Sequence, residues 1–191
     1  MATPEMEAPE LVSSEEVFRG RIFDVSVDTV REGGQQYKRE VVHHPGSAAI
    51  VAVFDDMTIA LVRQYRHAVV RYLLEIPAGT LNSPERPEEG AARELEEELG
   101  FVAGRMEKLS EFFVSPGFVE EKMWVYLATE LTETAQRLEE DELIEVVRVP
   151  FTRALEMITE GMIEDAKTII GLMMAASRLG VERPDVEYPL G

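Results

Sequence analysis

The sequence has no cysteine among its 191 residues, which excludes disulfides, thiolate metal sites and a cysteine nucleophile. No apolar run approaches the roughly 18 to 20 residues that cross a bilayer. The opening MATPEMEAPELVSSEE lacks both a basic end and a hydrophobic stretch, so neither a spanning helix nor a secretory signal is expected. Cations are scarce: 19 Lys and Arg face 37 Asp and Glu, for a net charge of -18. Wrapping a nucleic-acid backbone takes clustered Lys and Arg, and no such cluster is present. Neither nucleic acid nor membrane is therefore expected as a partner, and the cytoplasm is the default location. The three histidines, His43, His44 and His67, have no metal-ligand spacing and receive no role. What is abundant is carboxylate, which suits metal binding or solubility alone.

Residues 1–16 carry two prolines and five acidic side chains with little apolar pattern, and read as a mobile leader. From residue 17 the text alternates, with Phe23, Val25 and Val27 on one side. A turn at Glu32-Gly33-Gly34-Gln35 leads to a returning strand over 37–42. Residues 47–54 and 58–62 are continuous apolar runs separated by Asp55-Asp56, and read as a second hairpin buried on both faces. A short strand is expected over 73–76 and a helix over 87–99, with Pro87 in its first turn and Gly100 as its stop. Strands follow at 108–114, 122–128 and 143–149, and helices at 152–160 and 166–179. This order predicts an α+β sandwich forming one domain over 17–180, with a C-terminal tail over 181–191.

Chemistry concentrates in residues 79–101. At about 100° per residue, Glu94, Glu97 and Glu98 share one arc of the expected helix, while Ala91, Ala92, Leu95 and Leu99 form the adjoining one. Like charges at such spacing cost about 0.2 to 0.5 kcal/mol per pair. The face therefore calls for a cation, unless it is simply a solvated acidic surface. Oxygen donors without Cys or His favour magnesium or manganese over zinc.

The same residues resemble the Nudix hydrolase signature, G-x5-E-x7-R-E-U-x-E-E-x-G-U with U a bulky apolar residue. Gly79, Glu85, Arg93, Glu94, Leu95, Glu97, Glu98, Gly100 and Phe101 fill all of its specified positions. The resemblance implies a Nudix-type α/β/α sandwich with a mixed sheet and an N-terminal antiparallel platform. It also implies cleavage of a nucleoside diphosphate linked to another moiety. Glu94, Glu97 and Glu98 are expected to bind Mg2+, with Mn2+ as the alternative, and Ala78 to offer its carbonyl. Arg93 is expected to orient the glutamates, with Glu85 as its partner, and Glu97 to act in catalysis as well as ligation. Within the acidic run 139–142, which resembles the loop that presents a base to water in related enzymes, Glu142 is the choice and Glu140 the reserve.

Further matches resemble the ADP-ribose pyrophosphatase branch: Glu75-Ile-Pro-Ala-Gly79, Ser115-Pro116-Gly117-Phe118 and Val62-Arg63-Gln64-Tyr65-Arg66. They imply that Arg66 meets substrate phosphates, that Glu75 contacts the terminal ribose or a metal, and that Pro116 marks the branch. Phe118 or Trp124 is a candidate for stacking on adenine. Plainer readings are a type II turn at Pro116-Gly117, core packing for the aromatics and a surface ion pair for Arg66. The branch also implies a homodimer exchanging strands within residues 17–45. The leading reading is hydrolysis of ADP-ribose to AMP and ribose 5-phosphate. Its rivals are the same chemistry on a GDP-sugar and a non-catalytic nucleotide-sugar sensor.

Overall fold

A computed structural model describes residues 7–138 and 143–182. The chain divides into two compact units, a finer division than the single domain read from the sequence. The first takes residues up to Gly46 together with Phe113–Lys122. It holds strands β1 (Glu10–Arg19), β2 (Asp24–Glu32) and β3 (Gln35–His43), an antiparallel sheet in that order.

Strand β1 starts at Glu10, so residues 10–16 are sheet where the sequence suggested a mobile leader. The reason is visible in its pairing with β2: the register shifts between Leu11 and Ser13 and again between Glu16 and Phe18. Such bulges break the two-residue period, so no clean alternation marks the strand. The turn at Gly33-Gly34 joins β2 to β3 with Glu32 opposite Gln35. Segment 113–122 joins this unit through Val42, whose N–H donates to the Phe118 carbonyl at 2.8 Å and whose carbonyl accepts from Glu120 N–H at 3.0 Å.

The second unit takes Ser47–Phe112 and the chain from Met123 onward. In chain order it contains β4 (Ser47–Ala52), β5 (Thr58–Arg66), β6 (Arg71–Glu75), β7 (Ala78–Thr80), α1 (Pro87–Leu99), β8 (Phe101–Phe113), β9 (Lys122–Glu133), β10 (Ile144–Pro150), α2 (Phe151–Thr159) and α3 (Ala166–Leu179). One sheet has the order β7-β4-β9-β8 and is mixed, with β4 antiparallel to β7 and parallel to β9. A second has the order β10-β5-β6. The hairpin expected from residues 47–62 does not form. Beyond one bridge between Val53 and Ile59, β4 and β5 part into different sheets, each in an interior position.

That placement accounts for the unbroken apolar run in β4, all of whose residues are buried. Ala48, Ile50 and Ala52 pack in one core with Ala91, Leu95 and Leu99 of α1. Ala49 and Val51 pack in the other with Leu172, Ala175 and Ala176 of α3. Helices thus cover both faces of the mixed sheet, the sandwich the sequence implied. Fully burying Ile50 on one face and Val51 on the other contributes about 1.5 to 3 kcal/mol each, so β4 serves both cores.

Candidate active site

Helix α1 carries the acidic face. Pro87 opens it, Glu88 and Glu89 lie in its first turn, and the Arg86 N–H donates to Glu89 Oε2 at 3.2 Å. Gly100 closes it with φ 71°, in the left-handed region that favours glycine. Its apolar arc is committed to the core, so the adjoining arc is fixed in direction. Glu94 and Glu98 are buried, at 6% and 2% exposure, and Glu97 is half-buried.

Buried carboxylates are costly unless paired. Arg93 provides pairing at its first shared edge with this face. Its Nη1 donates to Glu94 Oε1 at 2.6 Å and to Glu97 Oε2 at 2.8 Å. Its Nε and Nη2 grip Glu85 fork to fork at 2.9 and 3.0 Å, and Nη2 also donates to the Thr80 carbonyl at 3.1 Å. Glu85 in turn accepts from Asn82 N–H at 3.0 Å. The guanidinium is held above its ordinary pKa, by the Glu85 hydrogen bond first and by Glu94 and Glu97 with it, against the opposing effect of burial. Glu85 is held below the usual carboxylate value, chiefly by Arg93.

Strand β7 brings Ala78 and Gly79 against this helix, with Ala78 opposite Ala49 of β4. A Cβ on Gly79 would fall 2.6 Å from Glu94 Oε2 and closer still to Oε1 and Cδ. Glycine here is what lets the carboxylate lie against the strand backbone. Among the described residues no group of three or more carboxylate or imidazole side chains is already gathered into an ion cage; Arg93 draws Glu94 and Glu97 toward itself. The donor chemistry nevertheless fits a hard divalent cation: three carboxylates on one rigid helix, with Glu94 against the backbone of β7 at Gly79. Glu94, Glu97 and Glu98 are the residues that would hold it, with the Ala78 carbonyl as a further donor.

A second cluster lies on β5, β6 and the start of α3. The antiparallel register sets Val62 opposite Glu75 and Arg66 opposite Arg71, which puts Arg66 and Glu75 on one face of the sheet. Glu75 is buried, with 1% exposure. Arg66 Nε and Nη2 donate to its two oxygens at 2.8 and 2.6 Å. Lys167 Nζ donates to Glu75 Oε2 as well and lies 3.1 Å from Asp165 Oδ2. Burial alone would raise the Glu75 pKa, but Arg66 and Lys167 outweigh it and hold it low. Arg66 is held high by Glu75 first, with smaller contributions from Asp165 and Glu98.

The start of α3 is locked in place. Asp165 Oδ2 accepts from the Thr168 N–H at 2.9 Å, and the Thr168 hydroxyl accepts from Ile76 N–H at 2.9 Å. Lys167 was not legible as a site residue in the sequence. Asp165-Ala166-Lys167-Thr168 shows a readable helix start, but nothing local says that Lys167 turns toward Glu75.

Pro116 and Phe118 belong to the first compact unit. Both Phe118 and Val119 donate their N–H to the Ser115 carbonyl, at 3.2 and 2.9 Å. The four-residue bond makes this a helical turn, and Gly117 is not among the residues with positive φ, so the type II turn is corrected. Phe118 is 57% exposed. Trp124 Nε1 donates to Glu111 at 3.1 Å and packs against the α1 core. Glu140 and Glu142 lie outside the described residues. His43 and His44, which received no role, pair with Glu120 and Glu121 in the first unit.

With this geometry in view, residues 43–170 match the NUDIX domain family. The chain belongs to that family, whose members generally use divalent metal ions. An ADP-ribose pyrophosphatase of Bacillus subtilis (strain 168) is 42% identical, covering 82% of this chain and 86% of that protein. A methanol dehydrogenase activator of Bacillus methanolicus is 40% identical over 84% and 89%. A GDP-mannose pyrophosphatase of Enterobacter sp. (strain 638) is 36% identical over 77% and 83%. A solved ADP compounds hydrolase shares the fold with a TM-score of 0.82 at 24% identity, covering 93% of this chain and 97% of that one.

Proposed function

We propose that this chain is a magnesium-dependent hydrolase that splits ADP-ribose into AMP and ribose 5-phosphate, with water as nucleophile. The observation that carries the reading is the α1 face, where Arg93 ties Glu85, Glu94 and Glu97 together beside a glycine that makes room for Glu94. Glu94, Glu97, Glu98 and the Ala78 carbonyl would hold Mg2+, or Mn2+ in its place. A divalent ion bound there would shield the diphosphate and make its phosphorus more open to attack by water. Arg93 would orient the carboxylates, as its hydrogen bonds to Glu85, Glu94 and Glu97 support.

Arg66 is assigned to the substrate phosphates, as its planar fork suits two phosphate oxygens. Glu75 is proposed to contact the terminal ribose or a metal, with Pro116 and Phe118 as further substrate contacts. Glu142 is the proposed base, with Glu140 in reserve. In support, the segment before the acidic run is tied to the end of α1. Thr134 N–H donates to the Gly100 carbonyl at 2.7 Å, and Arg137 N–H to the Glu97 carbonyl at 3.0 Å.

The exposed apolar side chains of the strand platform, among them Leu11, Val17, Phe18 and Ile22, support the homodimer proposed through residues 17–45. The same reading puts the enzyme in the cytoplasm with neither nucleic acid nor membrane as a partner; the net charge of -18 supports the exclusion of nucleic acid.

The GDP-mannose pyrophosphatase relatives favour a second reading, the same chemistry on a GDP-sugar. Mass spectrometry of ADP-ribose cleaved in oxygen-18 water tests the first. Label in AMP or in ribose 5-phosphate establishes activity and identifies the attacked phosphorus. Faster turnover of a GDP-sugar, measured alongside, would reverse the order of the two readings.

A further inference from the structure

Glu75 holds more cations than one carboxylate needs. Arg66 grips both of its oxygens, and Lys167 donates to the same Oε2. The two cations differ in freedom. The Arg66 side chain is 39% exposed, whereas that of Lys167 is 11% exposed and stands on a helix start fastened through Thr168 to Ile76, the residue after β6. Arg66 can therefore turn outward, while Lys167 stays. Without Lys167, any outward turn of Arg66 would strand a buried negative charge, an outcome more costly than the pair is stabilising.

We propose that Lys167 is a positioning residue for diphosphate binding: it keeps Glu75 charge-paired and so frees the more exposed Arg66 to turn from Glu75 to a substrate phosphate. This rests on the assignment of Arg66 to the diphosphate above. Lys167 touches no substrate in this scheme. Its effect travels through Glu75, and removing the Glu75 charge must remove the effect. Asp165, 3.1 Å from Lys167, holds the ammonium in place when Arg66 leaves.

The test is calorimetric binding, with magnesium, of an ADP-ribose analogue whose bridging oxygen is replaced by methylene, so that nothing is cleaved. Wild type, Lys167→Met, Lys167→Arg, Glu75→Gln and the Glu75→Gln/Lys167→Met double variant are compared, each first shown to unfold cooperatively. Lys167→Met is expected to raise Kd about tenfold, equivalent to about 1.4 kcal/mol. Lys167→Arg should stay close to wild type. In the Glu75→Gln background, Lys167→Met should change Kd by less than about twofold, the signature of an interaction routed through one partner. Should Lys167→Met fail to fold, Lys167→Gln takes its place in the cycle. Equal losses in both backgrounds, with wild-type binding intact, overturn this inference alone. A wild-type chain that does not bind the analogue overturns the proposed substrate and this inference with it.

Discussion

Gly79 and Glu94 occupy space that admits only one side chain: a Cβ on Gly79 would lie 2.6 Å from Glu94 Oε2. Gly79→Ala must therefore displace either β7 or the carboxylate. The expected result is destabilisation of about 1 to 3 kcal/mol, as for other overpacked sites, with a loss of turnover larger than the loss of stability suggests. Urea unfolding and ADP-ribose hydrolysis measured on the same preparation check this. A fully active Gly79→Ala would show that Glu94 has freedom to move aside.

Arg93 is irreplaceable by lysine because its contacts need a planar fork. One guanidinium serves Glu85 through two nitrogens and Glu94 and Glu97 through a third, which a point-like ammonium cannot reproduce. Arg93→Lys should lower turnover at least about tenfold, as loss of an orienting partner does at metal sites. Arg93→Ala should in addition destabilise by about 3 kcal/mol or more, by leaving Glu94 facing Glu97 without their shared donor. Thermal unfolding and kinetics on the two variants separate orientation from charge.

Glu97→Gln and Glu98→Gln remove one charge each from the α1 face with little change of shape. Turnover should fall at least about a hundredfold, since losing part of an ion's coordination removes several kcal/mol of transition-state stabilisation. Circular dichroism should stay nearly unchanged. Wild-type turnover by either variant in saturating magnesium would place the ion elsewhere.

Acid should unfold the chain through Glu75 and Glu85. Both are held below the ordinary value of 4.5 when folded, Glu85 by Arg93 and Glu75 by Arg66 and Lys167 against burial. As pH drops below about 4.5 the unfolded chain takes up protons at these groups before the folded chain does. Their stabilisation is complete above that value and is lost as pH falls through the lower folded values. Chemical unfolding between pH 7 and pH 3 should show the decline, with a shallower slope for Glu85→Gln. An identical slope in that variant would remove Glu85 from the account.

Assembly is checked by light scattering. A homodimer has twice the 21.5 kDa chain mass, and Phe18→Glu, adding charge among the exposed apolar side chains Leu11, Val12 and Val17 of β1, should shift it toward monomer. A wild-type mass of 21.5 kDa would end the dimer proposal.

Local pattern made α1 legible to the residue: proline at the start, glycine at the stop and an apolar arc between them give the observed bounds. Helix α3 was equally readable. Pairing choices were not. The run 47–62 has the text of a hairpin, yet β4 and β5 take partners far along the chain, β9 and β10, a choice made by tertiary packing. The signature announced Glu85, Arg93 and the helix carboxylates by spacing. Lys167 meets Glu75 only because α3 packs on β4 and so brings its first turn to the end of β6, a contact across 92 positions that no local pattern encodes.

The interleaving of the two units has a practical side. Because Val42 is hydrogen-bonded to residues that the chain contributes only between β8 and β9, the strand platform is not a portable cassette. A nick between residues 46 and 47 would leave two fragments still clasped by that short insert, and a graft of the platform onto another scaffold has to carry both pieces of chain.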